Sequence, residues 1–223
     1  QAVVGSWAAS LSGGAAPVLD VQTRTRFNEA NDSHYYLVPG VIVTIMTMIG
    51  ALLTSLVMAR EYERGTLESL FVTPVGSGEI LTAKAATNFL LGMVSLAISM
   101  IFAAFVFDIP IRGSLTLLLA VSALFLIVAL GLGLVISTAT KNQFLACQFA
   151  VMGTFMPALM LSGFLYDILN MPPAVRALTY MIPARYYVTL LQTLFLAGDI
   201  PSVIIPCCIT LGVFAVVLMG IAR

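Results

Sequence analysis

Residues 38–84 read VPGVIVTIMTMIGALLTSLVMAREYERGTLESLFVTPVGSGEILTAK, and their reading decides the fold class. Up to Ala59 the stretch contains no acidic, basic or histidine side chain. From Arg60 onward it turns sharply polar: Arg60, Glu61, Glu63, Arg64, Glu68, Glu79 and Lys84 all fall within residues 60–84. A helix needs about 20 apolar residues to cross a hydrocarbon core of ~30 Å, and 38–59 meets that requirement. The charged stretch cannot lie in lipid, where ionised side chains are expensive. It therefore reads as a polar connection tied directly to membrane helices.

Four more runs of the same kind follow, at 86–107, 114–138, 144–166 and 201–222, and none of the five contains Asp, Glu, Lys, Arg or His. The whole chain is 60% hydrophobic and 9% charged. Soluble domains are about one quarter charged, so the composition leaves that class. The fold expected is an all-α integral membrane protein with five transmembrane helices, the membrane body covering residues 36–223. Formal net charge is zero, which gives no reason to expect nucleic acid as a partner. Cys147, Cys207 and Cys208 sit in apolar runs and read as small hydrophobes in helix packing.

The stretch 172–198 is apolar but interrupted by Pro183, and it carries Arg176 and Arg185. Its two pieces are each too short to cross. They are expected to be interfacial or re-entrant helices, with Tyr180, Tyr186 and Tyr187 at headgroup depth. A single kinked crossing would have to bury an arginine. Residues 1–35 are polar and small, and Val21, Thr23, Thr25 and Phe27 alternate with Gln22, Arg24 and Arg26. That period of two suggests a half-exposed strand, the end of an extramembrane domain plus a linker. Gln1 in place of Met, with this orphan strand, suggests that the sequence starts mid-stream.

Positive charge does not orient the crossings. Arg60, Arg64, Lys84, Lys141 and Arg223 lie on one side, and Arg24, Arg26, Arg112, Arg176 and Arg185 on the other.

Within the charged stretch the helix signals are specific. Gly65 offers a flexible joint or a C-cap to the first crossing. Thr66 is a candidate N-cap with Glu68 in the following first turn. Leu67, Leu70 and Phe71 share one face, and Thr73-Pro74 stops the helix. Ser77 with Glu79 then starts the next helix. Local physics alone allows two readings, a capped surface helix that meets a partner or a solvated loop that merely satisfies helix ends.

The run Glu61-Tyr-Glu-Arg-Gly-Thr-Leu-Glu-Ser-Leu-Phe-Val-Thr-Pro74 resembles the E-x-E-x-G-T-x-E-x-L-x-x-T-P signature of type-2 ABC exporter permeases. Phe27-Asn28 through Leu37-Val-Pro-Gly40, Leu161-Ser-Gly-Phe164 with Asn170-Met-Pro-Pro173, and Ile182-Pro-Ala-Arg-Tyr186 through Phe195-Leu-Ala-Gly198 resemble the same family, in the same order. Tyr166-Asp167-Ile168 follows the Leu-Ser-Gly-Phe turn, where family members often carry a proline or an acidic residue.

The resemblance implies a six-helix permease of the bacterial inner membrane with a large periplasmic domain between helices one and two, so that 1–35 would end that domain. It implies a cytoplasmic coupling helix in 60–84 that docks on a separate ABC ATPase, which would bind ATP and magnesium. Glu61, Glu63, Arg64, Gly65, Thr66, Leu67, Glu68, Leu70, Phe71, Thr73 and Pro74 are the expected coupling residues. Leu161, Ser162, Gly163, Phe164, Pro172, Pro183, Arg185 and Tyr186 are the expected external re-entrant residues. A second permease subunit, identical or different, would complete a dimer in the lipid bilayer.

Other functions are less well served. The sequence has no G-x-x-x-x-G-K-[ST] phosphate loop, and neither G-x-S-x-G nor H-E-x-x-H, so no enzymatic role or metal site is expected in this chain. A proton-coupled carrier usually places a carboxylate or histidine inside the bilayer, and the five runs have none. Sodium coupling through Thr44, Thr47, Thr54, Ser55, Ser95 or Ser99 stays open, beside the plainer role of these residues in interhelical hydrogen bonds. Gly131, Gly133, Ala146, Ala150 and Gly153 permit close helix approach, within the chain or across a dimer. Pro157 is expected to kink the fourth crossing.

Overall fold

The computed structural model describes residues 34–65, 77–107, 109, 112–166 and 168–222. The strand expected at 21–27 and the surface helix expected at 66–74 lie outside these residues. Among the described residues five helices are long and apolar enough to span a membrane: Leu37–Glu63, Thr82–Phe105, Leu115–Thr140, Gln143–Leu161 and Pro201–Ala222. They are the five runs expected from sequence, and the chain is a multi-pass, all-α membrane protein. A helix satisfies its own backbone polar groups, which lipid cannot do.

The third span is the axis of the bundle. It packs against the fifth span, both halves of the first, the second, and the short helix Pro183–Gln192. Small residues set these contacts. A side-chain carbon on Gly133 would lie 2.6 Å from the Ala51 carbonyl oxygen and 2.9 Å from Thr54 Cβ. A side-chain carbon on Gly131 would lie 3.0 Å from the Cβ of Leu218 in the fifth span. Lipid tails are as apolar as leucine, so such backbone approach, rather than water exclusion, drives helix association here. The small residues of the third span thus serve intrachain packing, as do the buried Ala146 and Ala150 of the fourth.

Two spans change helical register. The first is π-helical over Met48–Leu53 and the fourth over Val151–Phe155, and these two segments pack against one another. In the fourth span Met156 N–H bonds back to the Val151 carbonyl, one residue beyond the α-helical partner. The irregularity directly precedes Pro157, as expected where proline removes a donor.

Element ends follow local chemistry, with three corrections. The fourth span was expected to run to Tyr166 but its helix stops at Leu161. Gly163, at φ 88°, turns the chain inside the bundle, where Ser162 and Phe164 are buried. The first helix starts at His34, ahead of the run expected at 38–59, so Pro39 lies inside the helix. The stretch after Pro172 does break into two helices, Pro173–Thr179 and Pro183–Gln192, each with proline in its first turn. Tyr187, however, is not interfacial. Its helix turns it inward, and it is 0% exposed.

Candidate functional site

The first span ends as its sequence suggests. Arg64 N–H bonds to the Arg60 carbonyl, Gly65 N–H bonds to the Tyr62 carbonyl at 3.2 Å, and Gly65 takes φ 67°. Only glycine adopts that left-handed conformation without a Cβ penalty, so the helix is closed by a glycine C-cap. The last two turns carry Arg60, Glu61, Glu63 and Arg64 to one end of the bundle.

Three of those four side chains are engaged inside the chain. Glu61 Oε2 pairs with Lys84 Nζ at the start of the second span. Arg60 Nε donates to Gln143 Oε1 at 3.3 Å, and Gln143 N–H donates to Glu63 Oε2 at 3.3 Å. Gln143 is the first residue of the fourth span, whose N-cap is Asn142; the Asn142 Oδ1 accepts from Phe144 and Leu145 N–H. Lys141, at φ 49°, and Asn142 make the whole connection from the third span. Deeper on the same side, the buried Asn88 Nδ2 donates to Thr54 Oγ1 at 3.0 Å, joining second and first spans. The charged end is therefore a junction of three helix ends. Arg64 is exposed and, among the described residues, carries no ion pair.

Of the coupling residues expected from sequence, the structure brings Glu61, Glu63, Arg64 and Gly65 together. Thr66, Leu67, Glu68, Leu70, Phe71, Thr73 and Pro74 lie outside the described residues. Sequence reasoning missed Gln143 and Asn142 as their neighbours. The available signal was Lys-Asn-Gln ahead of an apolar run, an N-cap pattern with no hint of which helix would face it.

The opposite end gathers the second expected set. Phe164 lies directly over Gly40, whose hypothetical Cβ would fall within 1.8 Å of the ring, so 161–164 closes over the start of the first span. Pro172 and Pro183 mark the starts of the two short helices. Between those helices Arg185 donates to Thr179 Oγ1 and lies 3.9 Å over the Tyr180 ring, while Tyr186 hydroxyl donates to the Tyr180 carbonyl at 3.0 Å. Such a cation–π contact satisfies a guanidinium at the edge of an apolar layer. A second clasp was not foreseen. Asp199 Oδ1 accepts from Ser114 N–H at 3.0 Å, Gly113 N–H donates to the Leu194 carbonyl at 2.8 Å, and Arg112 donates to the Leu196 carbonyl at 3.3 Å.

Between the two ends, the Pro183–Gln192 helix reaches the core through Tyr187. Burial pushes its phenol well above the ordinary value, so it remains a protonated donor, and it bonds to Ser122 Oγ. Beside it, a cavity of about 100 Å³ is bounded by Thr47, Phe125, Thr154, Pro157 and Ala184. It touches the first, third and fourth spans at once. Among the described residues no group of three or more His, Cys, Asp or Glu side chains could hold a metal ion.

Residues 14–196 match the family model described as ABC-2 type transporter. The chain is 48% identical over 205 residues to the "Probable multidrug ABC transporter permease YbhS" of Escherichia coli (strain K12), covering 92% of this chain and 54% of that protein. It is 31% identical over 180 residues to the "Probable multidrug ABC transporter permease YbhR" of the same strain, covering 79% and 48%. Identity to the "Inner membrane transport permease YhhJ" of that strain is 29% over 196 residues, covering 87% and 52%. The chain spans about half the length of the curated relatives it matches. With five spans in place, a polar junction at one end and a family match over most of its length, the chain belongs to the ABC-2 type transporter family.

Proposed function

We propose that this chain is part of the transmembrane subunit of an ABC exporter of the bacterial inner membrane, driven by a separate ATPase subunit. The observation that carries the reading is the charged junction, where the start of the E-x-E-x-G-T signature ties the ends of the first, second and fourth spans. A push delivered there reaches three helices at once. Arg64 and Gly65 lead into 66–74, and we assign Thr66, Leu67, Glu68, Leu70, Phe71, Thr73 and Pro74 to a helix that fills a groove on the ATPase. Glu61 and Glu63 anchor its base and lend it negative charge. ATP and magnesium belong to the partner, whose hydrolysis supplies the energy.

The end that holds Gly163, Phe164 and Arg185 then faces the periplasm, with the two short helices closing the pathway there. A second permease subunit completes the transporter. One face open to such a contact is that of the fourth span, where Leu145, Phe149, Met152, Met156 and Met160 are all exposed and Gly153 meets nothing within 4 Å. Relatives named as probable multidrug permeases, together with an apolar interior carrying threonine and serine hydroxyls, favour amphipathic organic molecules as cargo.

The test is co-purification of the full-length permease with its ATPase, followed by reconstitution into liposomes with ethidium as probe. A stable complex whose ATP hydrolysis rises with ethidium is the expected result. Ethidium flux driven by an ion gradient without any ATPase overturns the proposal.

A further inference from the structure

We infer that Gln143 is the positioning residue that passes movement of the first span's charged end into the fourth span. The inference rests on the proposed docking of an ATPase at that end. Its starting point is that Gln143 bonds twice to one helical turn: its side-chain oxygen accepts from Arg60 Nε, and its main-chain N–H donates to Glu63 Oε2. Both bonds involve a charged group, which makes them stronger than neutral pairs. Glu63 also places its carboxylate at the N-terminus of the fourth span, where unpaired N–H groups and the helix dipole favour negative charge.

The surrounding packing singles out this contact as a lever. First and third spans are locked along their length by Gly133 against Ala51 and Gly50 against Ala129. The second span is tied to the first by Asn88 with Thr54 and by Lys84 with Glu61. The fourth span differs. Its chain connection to the third is only Lys141 and Asn142, and its first segment, Gln143–Ala150, packs on the end of the first span and on the third before ending in the π-helical turn that precedes Pro157. A π-helical turn beside a proline is where a helix changes register or bends. Displacement of Arg60 and Glu63 thus pulls Gln143–Ala150 directly, and the π-helical turn at Val151–Phe155 lies against the cavity bounded by Thr47, Phe125 and Thr154. The sequence pattern gave Gln143 no role, because its partners are some eighty positions away.

The experiment uses the full-length permease reconstituted with its ATPase. With every cysteine of the full-length permease other than Cys147 replaced by serine, Cys207 and Cys208 among them, Cys147 on the second turn of the fourth span reports that span through its rate of maleimide labelling. Ala83→Cys, in a background with Cys147→Ser as well, reports the second span. Trapping with ATP and vanadate is expected to change both rates. Gln143→Met keeps the side-chain length but removes the acceptor for Arg60. In that variant the nucleotide-dependent change at Cys147 is expected to fall about tenfold, the lower end of the scale for one hydrogen bond to a charged group. The change at position 83 is expected to persist. An undiminished response at Cys147 overturns the inference. Equal loss at both positions overturns it too, because it marks a general structural role. If neither position responds to nucleotide in the unaltered junction, the docking proposal itself fails and this inference falls with it.

Discussion

The Tyr187 hydroxyl donates to Ser122 Oγ at 2.8 Å, and the Tyr187 ring stacks on Phe125 with centroids 4.1 Å apart. Both contacts are buried, and both residues opposite belong to the third span. The short helix Pro183–Gln192 is thereby fastened to the axis of the bundle by a polar and an aromatic interaction at one point. Tyr187→Phe keeps the stacking and removes the donor. Interhelical hydrogen bonds in membrane proteins contribute about 0.6 kcal/mol on average, so the loss is expected to be near that figure. Tyr187→Ala opens a cavity and should cost about 3–5 kcal/mol. Unfolding titrations in mixed micelles measure both, and equal costs would refute the assignment of the stability to ring packing.

Two glycines on facing spans should behave oppositely. Gly133→Leu forces atoms into the Ala51 carbonyl and must push the first span off the third. Overpacking of this kind costs about 1–3 kcal/mol and lowers folded yield. Gly153 has open space around it, so Gly153→Ala should leave monomer stability unchanged or slightly raised through helix propensity. If the fourth span forms the subunit contact, the same substitution weakens the dimer. Melting curves and cross-linking of the purified protein separate the two effects.

The Glu61–Lys84 pair predicts a charge-reversal pattern. Glu61→Lys or Lys84→Glu alone places like charges at the junction of the first and second spans. Each should lower stability by roughly 0.5–1 kcal/mol, the range for partly exposed pairs. The double reversal should recover most of the loss. A double mutant no better than the singles would show that the pair contributes nothing, and a thermal scan at low and high salt decides the matter.

Glu63→Lys combined with Glu68→Lys reverses charge at the base and within the proposed coupling helix. Membrane insertion should stay normal, while recovery of the ATPase on an affinity column, per inserted permease, falls severalfold. Reversing Glu63 also sets a cation at the N-terminus of the fourth span, an unfavourable position. Measured complex recovery equal to that of the unaltered protein would remove the docking role from these residues.

Much of this architecture is legible in one dimension. Apolar run length depends on bilayer thickness alone, so the five crossings could be counted directly from residues 38–222. Caps such as Gly65 and breaks such as Pro183 depend on the residue's own backbone preferences, and they too fell within a residue or so of expectation. Contacts between distant segments were not legible. Gln143 with Glu63, Asp199 with Ser114, and Tyr187 with Ser122 each join residues from different helices. An isolated glutamine, aspartate or tyrosine carries no mark of which helix will face it.

The sequence by itself thus determined a multi-pass helical protein with a charged, glycine-capped end to its first span. Its reason is local: solvation in lipid and backbone conformation act residue by residue. Only the tertiary structure decided what that charge does within the chain. The same pattern of letters is equally compatible with Glu61 and Glu63 left wholly to solvent. Packing through Gly133 and the short turn at Lys141 bring three helix ends within hydrogen-bonding distance, and that proximity makes the charged end a junction.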